Sequence, residues 1–393
     1  MKIAVVCDSF KGSLTSKDAC AAVKDGLLRC NKNFEVLSLP FADGGEGTSR
    51  CFYDILGGQL RKAAVHDPLL REITAEYTVL PDGTAVIDVA SASGLTLLKS
   101  SERDAVKASS LGSGELICDA AEHGAKHIIL GLGGSATTDA GTGILYALGM
   151  RFFSEDGVEV LPDGQNMIRV KKIRRTENFE RFKDIKFTLA CDVTNPLCGE
   201  TGAAYVFSPQ KGASKNEVEL LDDGLRNIGE IFEKASGKKI INLPGAGAAG
   251  GIGGGLSAFL NCELQSGFDV LARAASLEDK IRRSDAVITG EGKTDRQTLF
   301  GKLPKRVSDI AEKFGVPCIL LSGDVENDIS AEKLGVCEIH KIKENGISLE
   351  YCMKNAASLL SERAFAIGKD SKIINKQYNR KQEKMRENER QII

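Results

Sequence analysis

Apolar and polar positions fall into a regular rhythm over the first sixty residues. Lys2 to Cys7 is an almost unbroken apolar run, the pattern of a strand covered on both faces. Thr15 to Leu28 places Ala19, Ala22, Val23 and Leu27 at helical spacing, with Ser13 or Thr15 positioned to cap the helix. Phe34 to Leu39 predicts a second strand and Glu46 to Leu56 a second helix. Such a βαβα order predicts a parallel sheet with helices on both faces.

The rhythm changes after Gly58. Gln59 to Val65, Ile73 to Leu80 and Thr84 to Val89 read as consecutive strands, with Pro81-Asp82-Gly83 as a tight turn, the pattern of an antiparallel sheet. Strands at His127 to Leu130 and Lys186 to Ala190 follow, with helices at Gly114 to Glu122, Asp139 to Leu148 and Lys215 to Ala235. From Ala286 the opening rhythm returns: strand 286–289, helix 304–314, strands 317–321 and 337–341, helix 347–366. The pattern predicts an α/β protein in which 1–60 and 285–370 form one discontinuous domain. Residues 61–284 form an inserted mixed α/β domain, and 371–393 a polar tail that reads as a frayed, solvated helix.

Composition narrows the function classes. With 393 residues the chain is long enough for two cores, and a formal net charge of -2 offers no global attraction to nucleic acid or acidic membranes. There is no Trp to build a base-stacking platform. The 11 cysteines are odd in number and lack a Cys-x-x-Cys pair, and several, such as Cys20, Cys118 and Cys318, sit in apolar runs and read as small core residues. No apolar stretch approaches the ~20 residues of a membrane span, and Met1 to Cys7 reads as a strand rather than a leader. A cytoplasmic location is expected.

The 42 glycines gather in clusters at the ends of apolar strands. The most telling run is Gly131 to Gly143, where five glycines, four hydroxyls and Asp139 lie between a strand and a helical pattern. Glycine lets backbone N–H groups approach a ligand, and a helix N-terminus attracts an anionic oxygen, most often of a phosphate. Gly131-x-Gly133-x-x-Ala136 and Gly245-x-Gly247-x-x-Gly250 both satisfy a dinucleotide fingerprint, yet two copies over 100 residues apart do not make one Rossmann domain. A phosphate nest of backbone amides is the rival use. Gly292-Lys293-Thr294 imitates a P-loop ending, but Val287 occupies the position of its first glycine, which excludes a Walker site. His123 and His127 have no third partner in the pattern for zinc or a triad.

Four further segments carry chemistry. Asp8-Ser9-Phe10-Lys11-Gly12-Ser13 follows the first strand, where α/β sheets bind ligands. Asp43-Gly44-Gly45-Glu46-Gly47 follows the second, its carboxylates suited to substrate hydroxyls or a metal, with a helix start as the plainer alternative. Asp192-Val193-Thr194-Asn195-Pro196 offers a proton acceptor, or simply an Asx turn before proline. Thr289 to Asp295 repeats acid, glycine and base, with Gln297, Thr298 and Lys302 beyond it.

Together these blocks resemble the type I glycerate kinase family. The residues that carry the likeness are Asp8 to Ser13, Ala42 to Thr48, Gly131 to Gly143, Ala190 to Gly199 with Pro209 to Ala213, Pro244 to Gly255, and Thr289 to Lys302, in register from Met1 to about Lys369. The resemblance implies a flavodoxin-like, three-layer α/β domain made of both chain ends, with a mixed domain inserted. It also implies transfer of the ATP γ-phosphoryl group to D-glycerate in organic-acid catabolism, with family membership favouring the 2-hydroxyl. On it, Asp192 is the base and Lys11 a catalytic cation; Asp8, Ser9, Asp43, Glu46, Arg71 and Asn195 bind glycerate. Gly133, Gly134, Ser135, Thr137, Gly247, Gly251 and Lys293 hold the nucleotide phosphates, and Asp295 or Glu291 a Mg²⁺ ion. The partners implied are small molecules, ATP and glycerate, with neither nucleic acid nor membrane and with a homodimer left open. Lys293 stands where the family more often has Arg, so a bidentate clamp becomes a point charge. Two other classes remain to be weighed: an NAD-dependent oxidoreductase, and a non-catalytic sensor of phosphorylated metabolites.

Overall fold

The structure, a computed structural model, describes residues 1–42, 44–344, 346–380 and 383. The strands in chain order are β1 (Lys2–Cys7), β2 (Glu35–Pro40), β3 (Gln59–His66), β4 (Glu72–Val79), β5 (Ala85–Asp88), β6 (His127–Gly131) and β7 (Met150–Phe153). There follow β8 (Lys172–Arg175), β9 (Lys186–Ala190), β10 (Asn261–Gln265), β11 (Ala286–Thr294), β12 (Cys318–Val325) and β13 (Glu338–Lys341). By their internal contacts the residues divide into two compact units, one of 1–42 with 271–393 and the other of 43–270.

The first unit is a five-stranded sheet in the order β13-β12-β11-β1-β2 with every pairing parallel. Counted along the unit's own strands this is the flavodoxin-like order, whose ligand crevice lies at the carboxyl ends where the order reverses, here between β1 and β11. Ile3, Val5, Ile288, Ile319 and Leu321 are fully buried, because helices cover both faces and leave no polar side to the strands. The helix Ser16–Cys30 opens on Thr15, whose side chain accepts from the Asp18 N–H, and it packs against the helix Ala356–Asp370. Gly26 makes that approach close: a Cβ there would lie 2.0 Å from the Ser361 carbonyl oxygen.

The second unit is a six-stranded mixed sheet, β10-β9-β6-β5-β4-β3, with a separate β7-β8 ribbon. The strands β3, β4 and β5 are antiparallel as their closely spaced polar turns demand, while β5, β6, β9 and β10 run parallel. The helical run Gly114 to Glu122 begins earlier, at Leu111, and the run from Asp139 begins later, at Thr142.

Two expected boundaries move. The helix Thr48–Leu56 belongs with the second unit rather than the first, since it packs on β4 and β5 and Ser49 Oγ bonds Thr78 Oγ1 and the Val86 carbonyl, both at 2.9 Å. The other limit falls at 270/271 rather than 284/285. The tail also needs correction over its first part. Residues 372–380 are helical, Ile374 is fully buried, and Tyr378 meets Phe34 edge-on at 5.9 Å. Apolar contact therefore docks a stretch whose charges alone read as solvated; the remainder of the tail, except Glu383, lies outside the described residues.

Candidate active site

In the second unit the parallel register builds a site. Gly131 at the end of β6 stands opposite Asp88 of β5 on one side and Ala190 of β9 on the other. The segments leaving these three strands therefore emerge side by side. Leu132 N–H donates to the Ala190 carbonyl, and Gly133 N–H to the Gly44 carbonyl. Gly133 has to be glycine, since a Cβ would lie 2.5 Å from Gly45 Cα. The result is a cavity of about 230 Å³ lined by Gly44, Gly45, Gly133, Gly134, Ser135, Asp192, Gln210, Lys211, Ala248 and Ala249, among others.

Asp88 holds one wall. Its buried carboxyl accepts from Gly47 N–H at 2.9 Å and Ser49 N–H at 3.0 Å, which anchors the turn carrying Gly44 and Gly45. Burial drives its pKa up to about 7, although the two N–H bonds oppose that shift. Asp139 braces the opposite side. It accepts from Ser110 N–H and Oγ, Gly141 N–H and Gly143 N–H, and burial raises its pKa as well. Both acids are framework for the loops.

The structure gathers Gly133, Gly134, Ser135 and Asp192 around one cavity, with Asp192 solvent-exposed at its edge. Thr137 is buried behind it, offering its carbonyl inward. The two glycine-motif phosphate positions Gly247 and Gly251 serve differently from expectation: their N–H groups already donate to the Asn195 and Gly247 carbonyls. Around them Ala249, Gly250 and Gly251 depart from helical geometry with positive φ, kinking the helix Ala248–Phe259 against the 137–140 segment. That glycine run packs one loop on another, and the cavity instead meets Ala248 and Ala249.

Arg71 lies apart from these residues. Its Nε bonds Asp67 at 2.5 Å and its Nη1 bonds Glu102 at 2.8 Å, so its charge is matched within the protein, and it lies outside the cavity lining. Asn195 donates to the Thr201 carbonyl at 2.8 Å. Glu46 is exposed beside Gly45 and accepts from Thr96 Oγ1 at 3.3 Å. Asp43 lies outside the described residues.

One residue in the cavity was passed over by sequence reasoning. Lys211 is 3% exposed, and its Nζ donates to Ser135 Oγ at 3.0 Å and to the Thr137 carbonyl at 2.5 Å. It follows Pro209 and Gln210 in a single 3₁₀ turn, away from any strand end. The signal available was a lysine between proline and glycine within a family-like block, but burial cannot be read from that.

The first unit gathers its own group at the β1/β11 reversal. Asp8 N–H donates to the Gly290 carbonyl, and the turn Phe10–Leu14 closes on itself while Gly292 packs against Phe10 and Lys11. Lys11 is exposed there. Glu291 is nearly buried and accepts from Thr298 Oγ1 at 2.7 Å; desolvation lifts its pKa to about 7, with Asp8 adding to the rise and Lys302 opposing it. Asp295 caps the turn Arg296–Leu299 by accepting from Gln297 N–H at 2.9 Å and pairs with Lys302 at 3.3 Å. Lys293 pairs with Glu326 at 2.8 Å.

These carboxylates do not make a ready metal cage. Among the described residues no group of three or more His, Cys, Asp or Glu could hold an ion. Asp295 accepts from Gln297 N–H and Glu291 from Thr298 Oγ1, and neither belongs to such a group. A magnesium ion carried mainly by phosphate oxygens and water needs no such cage.

Comparison with known proteins agrees with this architecture. The glycerate kinase family model matches residues 3–372. A glycerate kinase of Halalkalibacterium halodurans is 38% identical over 364 residues, covering 92% of this chain and 96% of that protein. The glycerate 2-kinase of Escherichia coli K12 is 40% identical over 330 residues, 84% of this chain and 87% of the other. A crystal structure from Salmonella typhimurium LT2, titled as a glycerate kinase 2, superposes with a TM-score of 0.83 at 35% identity, covering 94% of this chain and 97% of that one. Fold and likeness together define a phosphotransferase enzyme, a kinase. The chain belongs to the glycerate kinase family. Among the described residues no helix is long and apolar enough to cross a membrane.

Proposed function

We propose that this enzyme transfers the γ-phosphoryl group of ATP to the 2-hydroxyl of D-glycerate, in the catabolism of small organic acids. The observation that carries the reading is the cavity that brings an exposed carboxylate, Asp192, beside the glycine-rich loop Gly133–Ser135 and a buried lysine. The 2-hydroxyl oxygen forms the new bond to phosphorus as the bond to the β–γ bridging oxygen breaks. Its proton passes to Asp192, and ADP departs with the electron pair of the broken bond.

The loop amides and Lys211 supply positive potential for phosphate, and Lys11 and Lys293 are assigned as further cations for the anionic substrates. Asp8, Ser9 and Glu46 are assigned to glycerate. A Mg²⁺ ion bound with the triphosphate would spread its charge. Eleven free thiols support a reducing, cytoplasmic setting.

The test supplies ATP, Mg²⁺ and D-glycerate and couples the product to enolase without a mutase. Immediate phosphoenolpyruvate is expected. ADP formed with no phosphoenolpyruvate until a mutase is added would move the product to 3-phosphoglycerate, and no ADP at all would end the kinase assignment for glycerate.

A further inference from the structure

Lys211 is a costly side chain to bury. Its ammonium is buried, and among the described residues no carboxylate lies within ion-pair distance of Nζ. Its two partners are neutral oxygens, Ser135 Oγ and the Thr137 carbonyl, which leaves the third N–H position of an ammonium without a described acceptor. A buried cation without a counter-charge is strongly disfavoured in a folded protein. The cost is met if an anion completes the site.

The surroundings suit one kind of anion. Lys211 lines the same cavity as Gly133, Gly134 and Ser135. Gly133 N–H is already used by the Gly44 carbonyl, but among the described residues the Gly134 and Ser135 N–H groups meet no acceptor. Two backbone donors without acceptors and one ammonium on the lining of one cavity suit a tetrahedral oxyanion.

We propose that Lys211 is a binding residue for phosphoryl oxygens, receiving them together with the Gly134 and Ser135 amides. The proposal rests on the kinase reading for the identity of the phosphates, though its tests are binding measurements that need no turnover. Burial holds the amine down to about 7, opposed only by the buried Asp139 behind the loop. The other charged groups about it are Asp192 on the cavity lining and Arg103, whose Nη1 reaches the Gln210 carbonyl at 3.4 Å. A phosphate arriving at pH 8 should therefore draw a proton onto Lys211 as it binds.

Two sources of phosphate are separable. ADP alone tests the nucleotide, 2-phosphoglycerate alone tests the phosphorylated acid, and D-glycerate is the unphosphorylated control. In Lys211→Met the affinity for one of the two phosphate ligands should fall about 10- to 100-fold, the loss of one charge-assisted hydrogen bond, while D-glycerate binding changes less than about twofold. Lys211→Arg should recover part of the loss. Equal weakening of D-glycerate, or unchanged affinity for both phosphate ligands, overturns the proposal. Calorimetry of the unaltered enzyme in buffers of differing ionisation enthalpy needs no variant. Net proton uptake at pH 8 with a phosphate ligand supports the role, and its absence with both ligands overturns it. If these outcomes hold while glycerate is not phosphorylated, the substrate assignment fails and the phosphate site stands.

Discussion

Gly255 lies so close to Ala140 that a Cβ on it would stand 1.9 Å from the Ala140 carbonyl oxygen. The same helix meets the loop again at Gly250, where a Cβ would lie 2.0 Å from the Thr137 carbonyl oxygen and φ is +69°. Backbone therefore packs on backbone directly behind the cavity, and the carbonyl at Thr137 is the one that receives Lys211.

Gly255→Ala should cost stability and binding together. Overpacking of this kind costs about 1–3 kcal/mol, and a lowered thermal midpoint would register it. Gly250→Ala adds a left-handed backbone to the clash and should be worse. Displacement of the loop should also weaken ADP binding, which titration of the folded fraction would report.

Asp192→Asn should remove the proton acceptor and leave the fold alone. The residue is exposed, so the thermal midpoint should stay within about 1 °C, as surface changes of under ~0.5 kcal/mol allow. A loss of about 100-fold or more in kcat, with little change in KM, is the expected result for a general base. Retained turnover would move the base elsewhere.

Glu291 sets a pH dependence in the first unit. Its folded pKa near 7 stands above the ordinary carboxylate value of 4.5, so the folded protein binds the extra proton between them. Its favourable contribution is complete below about 4.5 and is lost as the pH rises through 7. Glu291→Gln retains an acceptor for Thr298 and should remove that loss. Thermal midpoints of the two proteins should agree near pH 5 and diverge toward pH 8, the variant being the more stable by about 1–3 kcal/mol.

Arg71→Ala should affect stability rather than glycerate binding. Asp67 is buried and would lose its guanidinium partner, although it keeps the N–H groups of Leu69 and Arg71, so a small fall in the thermal midpoint is expected. The KM for D-glycerate should remain within about twofold. A tenfold rise would restore Arg71 as a substrate ligand.

The contrast between Arg71 and Lys211 marks what a sequence discloses here. Strand ends could be located because long apolar runs such as Lys2 to Cys7 stop abruptly at Asp8, and the same reasoning placed Asp192 and Ser135 after strands. Arg71 drew attention because it is charged, but its acids at 67 and 102 come together only through the fold. Lys211 sits in a short turn with no periodic pattern, and its burial follows from packing against the distant residues 135 and 137. The helix Thr48–Leu56 continued the opening rhythm and read as part of it, yet Ser49 ties it to Thr78 and Val86. Ile374 and Tyr378, spaced four apart, were the apolar trace of a docked terminus inside an otherwise charged segment.

The all-parallel sheet imposes an order of birth. β1 is an inner strand whose partner β11 brings Ala286 opposite Ile3, and Lys2 N–H bonds Asp285, 283 positions further along. On the ribosome the opening strands must wait, unpaired on that edge, while the whole of 43–270 is made and becomes free to collapse on its own core. An interrupted translation product ending near residue 270 would thus carry a finished inner body and a sticky, half-built leader, a natural target for chaperones.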